Sequence, residues 1–159
     1  MNRLAVTCIF LFSLCAMFSG PIKAANSVAP TGAEKYIGAF SNVTVSKNSG
    51  DCAGFSLRLW RAAGLTATSP RLVGVFYDTS GSCPGVAYAL QDVRYEESSG
   101  RLDFNASSTS GDEMAFRFTG RMRPTAVTGK LFYLNSKASA PQDMGNVDLR
   151  KVSDERSVH

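Results

Sequence analysis

The chain has 159 residues and carries 17 lysines and arginines against 13 aspartates and glutamates, a formal net charge of +4 at pH 7. That surplus is too small for a dedicated nucleic-acid-binding protein, so we expect no nucleic acid partner. The one histidine, His159, is the last residue, which excludes any mechanism that needs an imidazole within the fold. The length suits a single domain, which buries roughly two-thirds of its unfolded surface and needs no metal to fold.

Residues 1–24 have the three parts of a secretory signal peptide. Arg3 precedes an apolar stretch over residues 4–18, and cleavage after Ala24 places small or aliphatic side chains where signal peptidase requires them. The apolar stretch has about 15 residues, whereas a transmembrane helix needs roughly 20. We therefore expect an exported protein, periplasmic or extracellular, with no transmembrane segment in its mature chain.

The mature chain divides into a short lead-in, a folded domain and a tail. Residues 25–34 and 153–159 are polar, and we expect both to be loosely ordered. Residues 35–152 form the predicted domain. No stretch within it has the periodicity of an amphipathic helix, so the predicted class is all-β.

Apolar and polar residues alternate along most of this domain, the period of two that is typical of half-buried strands. The predicted strands are residues 36–46, 55–60, 72–77, 86–95, 101–105, 114–119, 127–133 and 147–151. Within the fourth strand the apolar positions change phase, from Val86, Tyr88 and Leu90 to Val93 and Tyr95. A change of this kind indicates a bulge or a bend.

About eight to nine strands with short connections predict a single small antiparallel β-barrel, or a barrel-like sandwich, with strands paired in chain order. Cys8 and Cys15 leave with the signal peptide, and the remaining pair, Cys52 and Cys83, predicts one disulfide in an exported chain. Cys52 opens the second predicted strand and Cys83 the fourth, so both should lie at the same end of the sheet.

In this architecture the chain resembles the small up-and-down barrels of the lipocalin and avidin type. Those families carry a tryptophan in the first strand, where this chain has Tyr36 and Phe40, and its one tryptophan, Trp60, lies in the second. The resemblance therefore implies a barrel and assigns no binding residues.

Several kinds of catalytic site are excluded by residue type. A serine, histidine and acid triad needs an internal imidazole, as do zinc sites of the histidine-containing kinds. A disulfide between the two remaining cysteines also removes their thiolates as ligands. The sequence contains no calcium-binding or phosphate-binding loop. We expect no metal and no cofactor.

Paired carboxylates, as in glycosidases, are the catalytic arrangement hardest to exclude. The nearest acid clusters are Asp92 with Glu96 and Glu97, and Asp112 with Glu113. Adjacent residues on a strand point to opposite faces, and both clusters flank turns, where acids are usually solvated. We therefore expect a protein that is not an enzyme, and a carboxylate-based glycan hydrolase is the third hypothesis.

Cationic and aromatic residues occupy outward positions on two predicted strands: Arg117, Arg121 and Arg123 on one, Arg58 and Trp60 on the other. A guanidinium beside an aromatic ring suits carboxylate, phosphate or sulfate groups. Our first hypothesis is an outer face bearing these residues that binds a macromolecular partner, such as a protein, an anionic glycan or a lipid head group. The competing interpretation is that the arginines keep an exposed sheet soluble.

The alternative hypothesis concerns the barrel interior. A barrel of about eight strands is either filled by its own side chains or holds one small ligand. The protein would then be a lipocalin-like carrier of a small apolar ligand, and leucine at Gly129 would block uptake. N-glycosylation patterns at Asn42 and Asn105 are expected to be chance matches.

Overall fold

The computed structural model describes residues 33–62, 71–81, 83, 85–108, 114–135 and 140–153. Within these residues all regular structure is β, as predicted. The strands are β1 (Ala33–Ser41), β2 (Thr44–Val45), β3 (Cys52–Ala53), β4 (Phe55–Ala62), β5 (Leu72–Asp78), β6 (Val86–Glu96), β7 (Arg101–Ser108), β8 (Met114–Arg123), β9 (Ala126–Asn135) and β10 (Gln142–Val152). The predicted signal peptide, most of the lead-in and all but the first residue of the tail lie outside the described residues.

Eight of the strands form a closed antiparallel barrel, which confirms the predicted fold class. The order round the barrel is β1, β10, β9, β8, β7, β6, β5, β4, and β4 closes on β1. β2 and β3 form a separate two-stranded sheet. We call the end with the β6–β7 and β8–β9 turns the mouth end, and the end with Cys52 and Cys83 the disulfide end. In the described part of the chain, no helix has the length and apolarity that a membrane span requires.

The first predicted strand is split in the structure. β1 begins at Ala33, two residues before the predicted start of the domain, and ends at Ser41, while the short β2 follows separately. The hydroxyl of Ser41 accepts a hydrogen bond from the backbone N–H of Val43 at 3.1 Å, and the side-chain oxygen of Asn42 accepts one from the N–H of Phe55 at 2.7 Å. Side-chain bonds to backbone N–H groups compete with the strand ladder, so the chain leaves the barrel here.

β6 changes face at a bulge, as its apolar pattern predicts. Tyr88 is inside the barrel, and beyond a register shift over residues 91–94 Tyr95 also packs against the core. Asp92 has a φ of 51°, which is uncommon for a residue other than glycine. Its carboxylate accepts a hydrogen bond from the side chain of Asn105 at 3.1 Å.

β1 also contains a bulge, which the sequence analysis did not predict. The register against β4 shifts between Tyr36 and Gly38. Ile37 and Phe40, three positions apart, therefore both pack into the core, which regular alternation along a strand would forbid. A Cβ at Gly38, whose φ is 154°, would lie 2.9 Å from Cε of Lys151. Glycine thus leaves room for the lysine stem to cross β1.

Aromatic side chains occupy the middle of the barrel. Five that contact one another are at most 3% exposed: Phe76, Tyr88, Phe104, Phe116 and Phe118. Their contacting rings have centroids 5.0 to 6.5 Å apart, the normal range for packed aromatic pairs. Gly120 and Gly129 face each other on β8 and β9, and a Cβ on either would lie within 2.7 Å of Cζ of Phe118. The ring of Phe118 therefore covers this glycine pair.

The predicted disulfide joins Cys52 and Cys83, whose Cα atoms are 5.6 Å apart. Both cysteines lie at the same end of the barrel, as predicted, although Cys52 belongs to β3 and Cys83 precedes β6. Thr79, 7% exposed, is fixed nearby: its backbone N–H donates to the carbonyl of Gly54 at 3.0 Å, and its hydroxyl donates to the same oxygen at 2.7 Å. Gly81 donates its N–H to the carbonyl of Cys52 at 2.9 Å.

Candidate functional site

The structure divides the predicted outer-face residues between two sides of the barrel. β4, which carries Arg58 and Trp60, and β8, which carries Arg117, Arg121 and Arg123, are four strands apart in both directions round the barrel. The two groups therefore lie on opposite sides, and the prediction that they share one face is wrong on this point. Alternation shows which residues of a strand point outward, but it does not show on which side of the barrel that strand lies.

Arg58 and Trp60 are both only 8% exposed. The Arg58 guanidinium carbon lies 5.6 Å from the ring centroid of Tyr77 on β5. The Trp60 ring lies 5.2 Å from that of Tyr36 on β1. Packing against aromatic rings of neighbouring strands leaves these two residues little surface for a partner.

Arg117 lies at the centre of a groove on the outside of the barrel. Its partner on β7 is Asn105 and its partner on β9 is Phe132. The groove has a volume of about 490 Å³, and Arg94, Arg101 and Asp103 also line it. We call this surface the Arg117 groove.

The acids of the groove are hydrogen-bonded, whereas two of its arginine side chains have no hydrogen-bond partner among the described residues. Asp103 accepts from Nε of Arg101 at 2.8 Å and from the hydroxyl of Thr119 at 2.5 Å. Arg94 and Arg117 form no ion pair with any residue that the structure describes. An exposed guanidinium offers five N–H donors in a planar fork. The groove therefore presents two sets of donors that are available to an anion.

Arg121 and Arg123 extend the line of cations along β8. Arg121 stands directly opposite Arg101 on β7, and like charges at such positions destabilise a sheet. The ion pair of Arg101 with Asp103 reduces this repulsion. Arg123 lies at the mouth end and lines a different cavity, so it belongs to a second surface.

Lys130, on the β9 side of the groove, is already paired. Its Nζ donates to Oδ2 of Asp143 at 2.7 Å and lies 5.7 Å from the ring centroid of Phe132. The hydrogen bond from Lys130, and a second from the backbone N–H of Gly145, lower the pKa of the Asp143 carboxyl below its usual value. Lys130 therefore contributes less to anion binding than Arg94 or Arg117.

A second candidate site, missed by the sequence analysis, lies at the mouth end. Its main cavity has a volume of about 320 Å³ and its neighbour about 200 Å³, and both are lined by Ile37, Tyr95 and Met122. Lys35 and Arg61 face each other across β1 and β4 and line the larger cavity. The only signal in the sequence was the change of phase in β6, which places Tyr95 there.

Two of the carboxylates considered for catalysis, Glu96 and Glu97, have different partners in the structure. Glu96 accepts hydrogen bonds from the hydroxyls of Ser98 and Ser99 at 3.3 and 2.6 Å, while Glu97 lies 3.6 Å from Arg61. Asp112 and Glu113 lie outside the described residues. Among the residues that are described, no three potential ligands cluster around a possible metal position. The expectation that the protein is not an enzyme stays a prediction.

Comparison with known proteins assigns no family, since no family model, no curated protein and no solved structure matches the chain.

Proposed function

We propose that the protein is an exported, non-enzymatic binding protein that contacts an anionic glycan through the Arg117 groove. The observation that carries the proposal is the pair of exposed guanidinium groups, Arg94 and Arg117, without carboxylate partners among the described residues. Carboxylates and sulfates of acidic sugars accept two parallel hydrogen bonds from such a group. Each interaction of this kind is stronger than a neutral hydrogen bond.

The remaining lining residues suit the rest of a sugar. Asp92, Asp103 and Asn105 supply acceptors and donors for hydroxyl groups, and Phe132 supplies an apolar ring. The volume of about 490 Å³ falls within the usual range for small-ligand sites, roughly 300 to 1,000 Å³. A groove of this composition can therefore hold a short segment of a chain.

The other anionic partners fit this groove less well. A glycan can donate hydrogen bonds from its hydroxyl groups to Asp92 and Asp103, which lie among the arginines, whereas a uniformly acidic protein surface would only be repelled by them. A lipid head group would bring an apolar membrane against a face whose outward residues are mostly charged. The disulfide is compatible with export, and the signal-peptide pattern supports it.

The alternative of an apolar ligand inside the barrel remains untested, and the packed rings around Phe76 and Phe116 do not favour it. In a carrier, the interior needs space that side chains do not occupy. Here the ring of Phe118 already lies over Gly129, the position at which a bulky residue was expected to block uptake.

The direct test is isothermal titration of the purified protein with two probes, a heparin-derived hexasaccharide that carries sulfates and an oligogalacturonide that carries carboxylates. Combining Arg94→Ser with Arg117→Ser should weaken binding of at least one probe about tenfold or more, because two charge-assisted contacts are lost. The matched control, Lys47→Ser with Arg150→Ser, removes the same charge from exposed positions outside the groove and should change affinity less than about twofold.

Equal weakening by the two double variants would show non-specific attraction and overturn the proposal. Absence of binding to both probes would also overturn it. If a polyglutamate peptide bound more tightly than either sugar, the partner would be an acidic protein instead.

A further inference from the structure

Two of the bulges in the barrel, one in β1 and one in β6, shape the cavity at the mouth end. The bulge in β1 turns Ile37 towards the core, and the bulge in β6 does the same for Tyr95. Bulges commonly re-aim side chains next to functional sites. Here bulges on two strands that are not neighbours direct apolar side chains into one cavity.

The floor of this cavity is apolar. Leu72 is 2% exposed, and Ile37, Tyr95 and Met122 are half-buried and pack against the core. The Tyr95 hydroxyl makes no hydrogen bond to another described residue. These four side chains form a surface for a hydrocarbon chain, with a phenol available at one side.

The rim of the same cavity is cationic. Lys35 and Arg61 occupy directly opposed positions on β1 and β4, an arrangement that costs free energy through like-charge repulsion. Glu97 lies 3.6 Å from Nη2 of Arg61, and Lys35 has no ion pair within the described ranges. One further anion near Lys35 and Arg61 would balance this group of charges.

We propose that the mouth end binds a small amphipathic anion of the fatty-acid type. The hydrocarbon chain lies on Ile37, Leu72, Tyr95 and Met122, and the carboxylate lies between Lys35 and Arg61. Apolar burial supplies the affinity for the chain, and the two cations select an anionic over a neutral head group. This ligand is distinct from the glycan of the Arg117 groove and from a neutral ligand enclosed in the core.

The size of the cavity limits the ligand. A volume of about 320 Å³ is near the lower end for small-ligand sites, which favours a chain of medium length. The adjoining cavity of about 200 Å³ continues past Ile37 and Met122 to Phe40 and Pro124. The end of a longer chain can therefore extend towards Arg123 and Lys151.

The test uses sodium decanoate as the probe and the purified protein labelled with ¹³C at its methionine methyl groups. Decanoate should shift the Met122 methyl resonance in a saturable way and leave Met144, at the disulfide end, unchanged. 1-Decanol, which has the same chain without the charge, should bind about tenfold or more weakly, because it cannot pair with the rim cations.

A double variant, Lys35→Gln with Arg61→Gln, should weaken decanoate binding about tenfold or more and leave the affinity for decanol unchanged. Both positions are exposed, so the fold should persist, and the Met144 resonance reports on that. The control Lys47→Gln with Arg150→Gln removes equal charge elsewhere and should have little effect on either affinity.

The proposal is overturned if decanoate causes no saturable shift of Met122, if decanol binds as tightly as decanoate, or if the control weakens binding as much as the rim variant. The rim variant should bind the heparin-derived hexasaccharide normally. A failure of the fatty-acid proposal at the mouth end can therefore be distinguished from a failure of the glycan proposal at the Arg117 groove.

Discussion

The two ends of the barrel are built differently. At the disulfide end, a covalent bond joins Cys52 of β3 to Cys83, and Thr79 makes two hydrogen bonds to one carbonyl. At the mouth end, the backbone N–H of Met122 on β8 donates to the carbonyl of Gly100 in the β6–β7 turn, and cations surround a half-buried apolar surface. The comparison teaches that covalent and buried polar links are concentrated at the disulfide end, while the mouth end keeps a half-buried apolar surface, so substitutions at the two ends should have different consequences.

The largest effect should follow from removing the disulfide with Cys52→Ala and Cys83→Ala. The bond closes a loop of about 30 residues, and the chain-entropy model gives roughly 3 to 4 kcal/mol for such a loop. Urea denaturation followed by circular dichroism should show a loss of this size in the free energy of unfolding. A loss below about 1 kcal/mol would mean that this end does not hold the fold.

A smaller effect at the same end is expected for Thr79→Val. The substitution keeps the shape and removes the hydroxyl that donates to the carbonyl of Gly54, so unfolding should become about 1 kcal/mol easier. Thr44→Val, at an exposed position with a longer hydrogen bond of 3.4 Å to Ala53, is the matched control and should change stability by less than about 0.5 kcal/mol. Equal losses of stability in the two variants would contradict the view that the buried hydrogen bond of Thr79 stabilises the fold more than the exposed one of Thr44.

At the mouth end, Arg61→Gln should cost at most about 1 kcal/mol, because its ion pair with Glu97 is exposed and 3.6 Å long. The same denaturation measurement checks this. If Arg61→Gln were as destabilising as loss of the disulfide, the mouth end would be structural and the contrast between the ends would be lost.

The smallest effect concerns pH and the ion pair between Lys130 and Asp143. The pKa of Asp143 is lowered in the folded protein. Its contribution to stability is therefore present above the unfolded-state pKa, about 3.8, and is lost as the pH falls through the lower folded-state pKa. Urea midpoints measured from pH 5 to pH 2 should fall slightly more for the native chain than for Lys130→Gln. If the urea midpoints of the two proteins fell equally with pH, a role of the ion pair between Lys130 and Asp143 in stability would be contradicted.

Much of the fold could be predicted because its signals are local. Alternation identified the strands, the phase change at residues 91–94 identified the β6 bulge, and the spacing of Cys52 and Cys83 placed both at one end. The exit of the chain at Asn42 could not be predicted, because it depends on a hydrogen bond to Phe55, a residue distant in sequence. The bulge in β1 was also missed, since one glycine gives no clear change of phase.

The candidate site was only partly predictable for a related reason. The sequence identified Arg117 and Arg121 as outward residues, and the structure leaves both exposed. It could not show that Arg58 lies on the opposite side of the barrel over the ring of Tyr77, because that depends on how many strands close the barrel. Arg94 became a candidate only when the bulge and the pairing of β6 with β7 brought it beside Asp103.

The measurement that tests the central claim most directly is a ¹⁵N–¹H NMR titration of the labelled protein with the heparin-derived hexasaccharide and the oligogalacturonide. The Arg117 groove predicts that the amide signals of Asn105, Arg117, Thr119 and Phe132 shift together with at least one of these sugars, while those of Ile37 and Tyr95 stay in place. Shifts that spread over all exposed cations, or that cluster at the mouth end, would contradict it.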